Sequence, residues 1–121
     1  MGTFSVRVEI GDPTGQRWET VEALVDTGAT YTLIPRPVLE RLGIAGTFRR
    51  PFVLADGRQM ECEMAETRVR LDGQSRTTLV IFGEAGVVPL LGAYTLEGFG
   101  LAPDPVNRRL ISVPGLLVRI H

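Results

Sequence analysis

Glycine and proline interrupt this chain too often for long helices, and between the interruptions apolar and polar side chains mostly alternate. The 121 residues include 14 glycines and 8 prolines. In residues 4–10, for example, every second side chain is apolar, from Phe4 to Ile10. A period of two is typical of a strand with one buried face. The pattern therefore predicts an all-β fold of short strands joined by tight turns.

The same pattern extends along the rest of the chain. Further strands are predicted over residues 18–25, 31–34, 51–54, 59–71, 77–82, 109–113 and 116–120. Turn-forming residues separate them, with the clearest hairpin turn at residues 55–58. Because no linker or repeat divides the chain, we expect residues 1–121 to form a single domain.

Two short helices interrupt the strands. The first is predicted over residues 35–42, which carry a proline near the start and a glycine just after the end. The second is predicted over residues 93–98. The most apolar run of the chain, residues 87–92, is expected to be buried, with Tyr94 and Phe99 as core contacts.

The composition argues against several classes of function. The net charge is -1 and charged residues make up 22%, which does not favour binding to nucleic acid or to an anionic membrane. No apolar stretch approaches the roughly 20 residues of a membrane helix, and the start of the chain does not have a signal-peptide pattern. Cys62 and His121 are each the only residue of their type, so no metal and no cofactor are expected. The default expectation is a cytoplasmic protein.

One turn carries the residues that suggest chemistry. An apolar run leads into Asp26-Thr27-Gly28, which combines a carboxylate, a hydroxyl and a glycine. The other Asp-Gly pairs, Asp56-Gly57 and Asp72-Gly73, lack both the threonine and the apolar run. One carboxyl group cannot act as both acid and base in a single proton-transfer step, so an enzyme built on this motif needs two chains. The simpler alternative is that Asp26 and Gly28 only form a turn after a strand.

The layout as a whole resembles the retropepsin-like aspartic proteases, the single-domain family of retroviruses with relatives in bacteria. The resemblance rests on residues 24–29, on a hairpin at residues 52–63, and on Pro89-Leu90-Leu91-Gly92 with the helix behind it. Residues 90–105 look especially like the bacterial members. The resemblance implies a retropepsin-like acid protease β-barrel with a flap hairpin and one or two short helices. It also implies a homodimer that cleaves peptides without a cofactor.

The resemblance further implies roles for individual residues. Asp26 would be the catalytic acid, paired with its copy in the partner, and Thr27 would lock the two active-site turns together across the interface. The last strand, residues 116–120, would contribute to the dimer interface. Substrate would contact the turn and the tip of the flap, through Gly28, Ala29, Thr30, Asp56 and Gly57.

The chain departs from the viral pattern at three places. Thr30 stands where viral enzymes have an aspartate that binds the substrate backbone. Ala93-Tyr94 replaces the Arg-Asn or Arg-Asp pair whose arginine contacts that aspartate. The tip of the hairpin carries Asp56 and Arg58, whereas viral flaps are glycine-rich and apolar there.

These departures leave two alternatives open. The first is a catalytically silent module of the same fold that dimerises and binds an extended peptide by strand addition. The second is another small β-barrel binding domain, which would be a monomer with Asp26 held in a backbone hydrogen-bond network.

Overall fold

The structure, a computed structural model, describes residues 3–115 and residue 117. These residues form nine strands and two short helices, in the following order. The elements are β1 (Ser5–Gly11), β2 (Trp18–Val25), β3 (Thr32–Pro35), α1 (Arg36–Arg41), β4 (Phe48–Val53), β5 (Gln59–Leu71), β6 (Gln74–Gly83), β7 (Leu90–Leu91), α2 (Ala93–Phe99), β8 (Leu101–Asp104) and β9 (Arg109–Ser112).

Six strands close into a ring, and a hairpin projects from it. The ring follows the order β1, β2, β7, β3, β6 and β5, and β5 pairs back with β1 to close it. The long strand β5 has 13 residues, and its first part pairs with β4 before the rest enters the ring. The predicted all-β fold with a hairpin and two short helices is confirmed.

The alternation of the sequence places the apolar side chains inside the ring. In β1 the residues Val8 and Ile10 are buried, while the intervening Glu9 pairs at the surface with Arg70. Both helices add apolar side chains to the same core. The buried apolar cluster comprises Phe4, Val8, Ile10, Val21, Ala23, Val25, Ile34, Val38, Leu39, Leu42, Ile44, Ala65, Val69, Leu71, Val80, Phe82, Leu91, Leu96 and Phe99.

The shortest strand determines where the Asp26 turn lies. Strand β7 consists of Leu90–Leu91 and lies between β2 and β3, parallel to the first and antiparallel to the second. The chain therefore leaves β2 at Val25 and passes over the end of β7 before it enters β3. We call residues 26–30, which make this passage, the Asp26 turn.

Both predicted helices are present, with small shifts at their ends. Helix α1 begins at Arg36, so Pro37 is its second residue and not its first. Gly43 follows its end with a φ of 71°, a conformation that favours glycine. Helix α2 ends at Phe99, and Gly100, which follows it, is also left-handed. Neither of the two described helices is long and apolar enough to cross a membrane.

Two predictions of burial were wrong in part. In the run of residues 87–92, Leu91 and Gly92 are buried but the side chain of Val88 is 59% exposed, because only Leu90–Leu91 enter the sheet and the preceding residues form a loop. Phe99 is in the core as predicted, whereas Tyr94 is 46% exposed because it lies on the outer side of α2.

The end of the chain also differs from the prediction. Strand β8 was not predicted, and it pairs with β9 to form a separate two-stranded sheet. Apart from Leu117, which is exposed, the predicted strand over residues 116–120, with its implied place in a dimer interface, lies outside the described residues.

The turn between β1 and β2 contains a buried acid, Asp12. Its Oδ1 atom accepts hydrogen bonds from the backbone N–H groups of Gln16, at 2.8 Å, and Arg17, at 3.2 Å. The hydroxyl of Thr14 donates to the same carboxylate at 3.1 Å. Burial alone would raise the pKa of Asp12, but these hydrogen bonds outweigh it and lower the pKa overall.

We expect the free energy of unfolding to fall as the pH drops below the ordinary carboxylate range. Asp12 has a lower pKa in the folded than in the unfolded chain, so its contribution is complete above the unfolded pKa and is lost as the pH falls through the folded pKa. Chemical denaturation at about pH 7 and about pH 3 measures this loss. Asp12→Asn should reduce the difference between the two values. An unchanged difference would contradict this assignment.

Candidate active site

The Asp26 turn is held by backbone hydrogen bonds at both ends. The N–H of Asp26 donates to the carbonyl oxygen of Leu91 at 3.1 Å, which ties the turn to β7. The N–H of Ala29 donates to the carbonyl oxygen of Asp26 at 3.1 Å and closes the turn. The N–H of Gly28 donates to Oδ1 of Asp26 at 3.0 Å. The side chain of Asp26 is therefore oriented by its own turn.

One carboxylate oxygen of Asp26 remains available. The side chain is half-buried, and its Oδ2 atom accepts no hydrogen bond from the described residues. The barrel-domain alternative required a backbone network around this carboxylate, but the only backbone donor among the described residues is Gly28. A cavity of about 450 Å³ opens beside the carboxylate. Its lining consists of Thr3, Phe4, Val25, Asp26, Thr27, Gly28, Pro103 and Pro105.

The first residues of helix α2 form hydrogen bonds to the second half of the Asp26 turn. The N–H of Ala93 donates to the carbonyl oxygen of Ala29 at 2.9 Å, and the N–H of Tyr94 donates to that of Thr30 at 2.8 Å. A Cβ atom at Gly92 would lie 2.6 Å from the backbone of Tyr31. The approach of the two backbones therefore requires glycine at this position.

A chain of buried threonine hydroxyls supports this junction. Thr95 of α2 shares hydrogen bonds with Thr32, at 2.6 Å, and with Thr78 of β6, at 2.9 Å. The oxygen of Thr32 also accepts the N–H of Gly92 at 3.1 Å. All three threonines are buried. They support the turn in a chain whose Thr30 and Ala93 cannot form the ion pair of the viral enzymes.

The sequence reasoning missed these threonines, although a signal was present. Thr32 and Thr78 each alternate with a buried apolar residue of the same strand, Ile34 and Val80 respectively. A polar residue at an inward position of a strand needs a buried partner. The sequence does not show, however, that Thr95 would supply it from a helix.

The tip of the β4–β5 hairpin uses its own acid internally. The Oδ1 atom of Asp56 accepts the backbone N–H of Arg58 at 3.0 Å, and Oδ2 accepts the side-chain Nε of Arg58 at 2.7 Å. Both contacts lower the pKa of Asp56. Gly57 is left-handed, with a φ of 88°, and completes the turn. The predicted contact of these residues with substrate stays a prediction.

An apolar cleft lies between the hairpin and the ring. The volume of this apolar cleft is about 440 Å³. Its lining consists of Leu33, Met60, Cys62, Ile81, Phe82, Gly83, Glu84, Ala85, Gly86 and Val87. Val87, expected in the core, thus lines a cleft. Burial in this lining raises the pKa of the Cys62 thiol.

The described residues bring no three histidine, cysteine, aspartate or glutamate side chains together as a metal site. Of the two acids predicted as site residues, Asp26 lies in the Asp26 turn and Asp56 at the tip of the hairpin.

Removing one hydroxyl from the threonine chain should destabilise the fold. Thr95→Val keeps the shape of the side chain but leaves Thr32 and Thr78 without their shared partner. We expect a loss of about 1–3 kcal/mol in the free energy of unfolding, the usual cost of unsatisfied buried hydroxyls. Urea denaturation measures this loss, with Thr95→Ser as the control that retains the hydroxyl. A Thr95→Val protein as stable as the wild type would contradict this role of the hydroxyl.

Comparison with known proteins identifies the family. The family model described as aspartyl protease matches residues 6–95, which include β1 from its second residue, β2 to β7, the Asp26 turn, the hairpin and the start of α2. A search of curated proteins finds no match to this chain. The match covers well over half of the chain and has the Asp-Thr-Gly turn within it. The chain belongs to the aspartyl protease family, and its resemblance to the retropepsin-like members is confirmed.

Proposed function

We propose that this protein is an aspartic endopeptidase that is active as a homodimer, and that residues 1–121 act as one protease domain. The observation that carries the proposal is the geometry of Asp26 in a chain of this family. Its turn orients one oxygen through Gly28 and leaves the other without a partner among the described residues. The chain has no second Asp-Thr-Gly, so a pair of such acids needs a second chain.

In the proposed dimer the two Asp26 side chains face each other across a twofold axis. Two carboxylates at such short distance are not both ionised at low cost, so the pair shares one proton. The ionised member removes a proton from a water molecule as it attacks the peptide carbonyl carbon. The protonated member donates to the carbonyl oxygen, and a proton then reaches the leaving amine. We expect cleavage to be favoured in mild acid.

Thr27 is suited to contact the partner. Its side chain is exposed at the corner of the turn, and its hydroxyl makes no hydrogen bond to the described residues. In the proposal this hydroxyl binds the equivalent turn of the other subunit and keeps the two acids opposed. Gly28 offers its carbonyl group to the substrate backbone. Ala29 and Thr30 continue that contact.

The apolar cleft and the hairpin support binding of a peptide. An extended peptide carries alternate side chains to opposite sides, and the apolar cleft can accept one of them. Among the described strands, the β4–β5 hairpin is paired with the ring only through β5, which suits a segment that opens and closes over substrate. Closure would exclude water from the acids and strengthen their electrostatic interactions.

Asp26→Asn should abolish cleavage of a peptide library while the fold remains intact. The amide cannot act as a base, and general acid–base catalysis is typically worth about 100- to 10,000-fold in rate. Activity is measured by mass spectrometry of the products and folding by thermal denaturation. Asp72→Asn is the matched control, because Asp72 is also an aspartate of a turn and lies outside the site, and asparagine tolerates its left-handed φ of 53°.

If the Asp26→Asn protein cleaved the peptides at the wild-type rate, the mechanism would be contradicted. Peptide binding by both proteins without any cleavage would instead favour the silent binding module.

Thr27→Val should weaken the dimer, because valine has the shape of threonine without the hydroxyl. Thr27→Ser should retain it. Sedimentation velocity across a range of protein concentrations measures the dissociation constant of each variant. We expect about a tenfold increase for valine, the effect of losing one or two hydrogen bonds worth about 1 kcal/mol each. A wild-type protein that sediments only as a monomer would overturn the homodimer.

A further inference from the structure

The hairpin carries a second group of side chains on the face that lines the apolar cleft. In the register of β4 and β5, Arg50 lies opposite Cys62, and Phe52 lies opposite Met60. Directly opposed residues of an antiparallel pair project from the same face of the sheet. Because Met60 and Cys62 line the apolar cleft, Arg50 and Phe52 continue the same surface beyond it.

This surface meets the Asp26 turn in a group of rings. The ring of Tyr31 contacts that of Phe52 edge to face, with centroids 6.0 Å apart, and that of Tyr94 at 5.6 Å. We call these three residues the aromatic cluster. Tyr31 directly follows the Asp26 turn, and the backbone of Tyr94 is bonded to Thr30 of that turn. The aromatic cluster therefore connects the hairpin to the candidate active site.

Arg50 lies against the aromatic cluster and has no carboxylate partner among the described residues. Its guanidinium carbon is 5.3 Å from the ring centre of Tyr31 and 5.5 Å from that of Phe52. The guanidinium also donates a hydrogen bond to the hydroxyl of Tyr31. No acidic side chain of the described residues forms an ion pair with it. Its neighbour Arg49, in contrast, is paired with Glu61 at 3.1 Å.

The surroundings of Arg50 prepare it to bind an anion. Two rings and a hydroxyl restrict the side chain, so less conformational entropy is lost when a ligand binds. The guanidinium retains further N–H donors in a planar fork that matches the geometry of a carboxylate. Because the side chain is exposed, an incoming group can reach it.

We propose that Arg50, held by Tyr31 and Phe52, is a subsite that binds an acidic side chain of the peptide. It follows that the preferred substrates carry an aspartate or glutamate a short distance from the residue held in the apolar cleft. This inference rests on the proposed peptidase function and specifies its substrate class. Rings line the same surface, but the positive charge of Arg50 favours an acidic rather than an aromatic side chain as the ligand of the subsite.

Matched peptides test the proposal. Peptides cleaved by the wild-type protein are made in pairs that differ only by glutamate or glutamine at each position near the cut. At one position we expect kcat/KM to be about fivefold higher for glutamate at low salt, mostly through KM, with a smaller ratio at high salt. Arg50→Gln should abolish the preference, and Arg50→Lys should retain part of it.

Arg49→Gln is the matched control, because Arg49 is the adjacent arginine on the other face of the hairpin and is already paired. It should keep the wild-type preference. Thermal denaturation shows whether each variant is folded. Equal cleavage of both peptides by the wild type would overturn the proposal. A glutamate preference that survives in folded Arg50→Gln, or a preference for aromatic side chains alone, would also overturn it.

A separate binding experiment distinguishes failure of the proposed peptidase function from failure of the Arg50 subsite. If the wild-type protein cleaves no peptide, the affinities of the Asp26→Asn protein for the glutamate and glutamine peptides are compared by fluorescence polarisation, with and without Arg50→Gln. A glutamate preference that depends on Arg50 would support the subsite in a binding protein. Equal affinities, or no binding of either peptide, would overturn it.

Discussion

The close approach of two backbones at Gly92 determines the arrangement of the candidate site. The Asp26 turn passes over the end of β7 so closely that a Cβ atom at Gly92 would overlap the backbone of Tyr31. This proximity allows the N–H groups at the start of α2 to reach the carbonyl oxygens of Ala29 and Thr30. The ring of strands fixes β2 and β3 on either side of β7, and the turn has no freedom to move away. Backbone hydrogen bonds and this close packing thus fix the turn that carries the carboxylate.

Asp26 differs from two other aspartates in turns, Asp12 and Asp56, in how many hydrogen bonds its carboxylate accepts. Asp12 is buried and accepts several hydrogen bonds, and Asp56 is occupied on both oxygens by Arg58. Their carboxylates therefore stabilise the fold or the hairpin. Asp26 receives one hydrogen bond, which orients it, and keeps an oxygen without a described partner. The combination of a rigid backbone and an incompletely satisfied acid suits a group that must exchange protons.

The sequence was sufficient for the elements with strong local patterns. Alternation predicted β2 and β5 with the observed bounds, and the glycine after α1 marked its end. Alternation cannot show which strands become neighbours, so the insertion of β7 and the pairing of β8 were not found. Val88 and Tyr94 were assigned to the core because they are apolar or aromatic, yet both are exposed. Hydrophobicity alone does not distinguish a core position from the rim of a cleft or the outer side of a helix.

Asp12 and Asp56 stabilise the structure in their ionised forms, whereas the proposed pair of Asp26 side chains needs a proton. Asp12 and Asp56 have lowered pKa values because their ionised forms are hydrogen-bonded, and strong acid removes this stabilisation. The proposed pair of Asp26 side chains must instead retain one shared proton, which alkaline conditions remove. The proposed mechanism therefore predicts activity only between the pH at which the turns lose their ionised acids and the pH at which the pair loses its proton. The hydrogen bonds that lower the pKa of the structural acids extend this range toward acid, which is where an aspartic peptidase needs its fold to be stable.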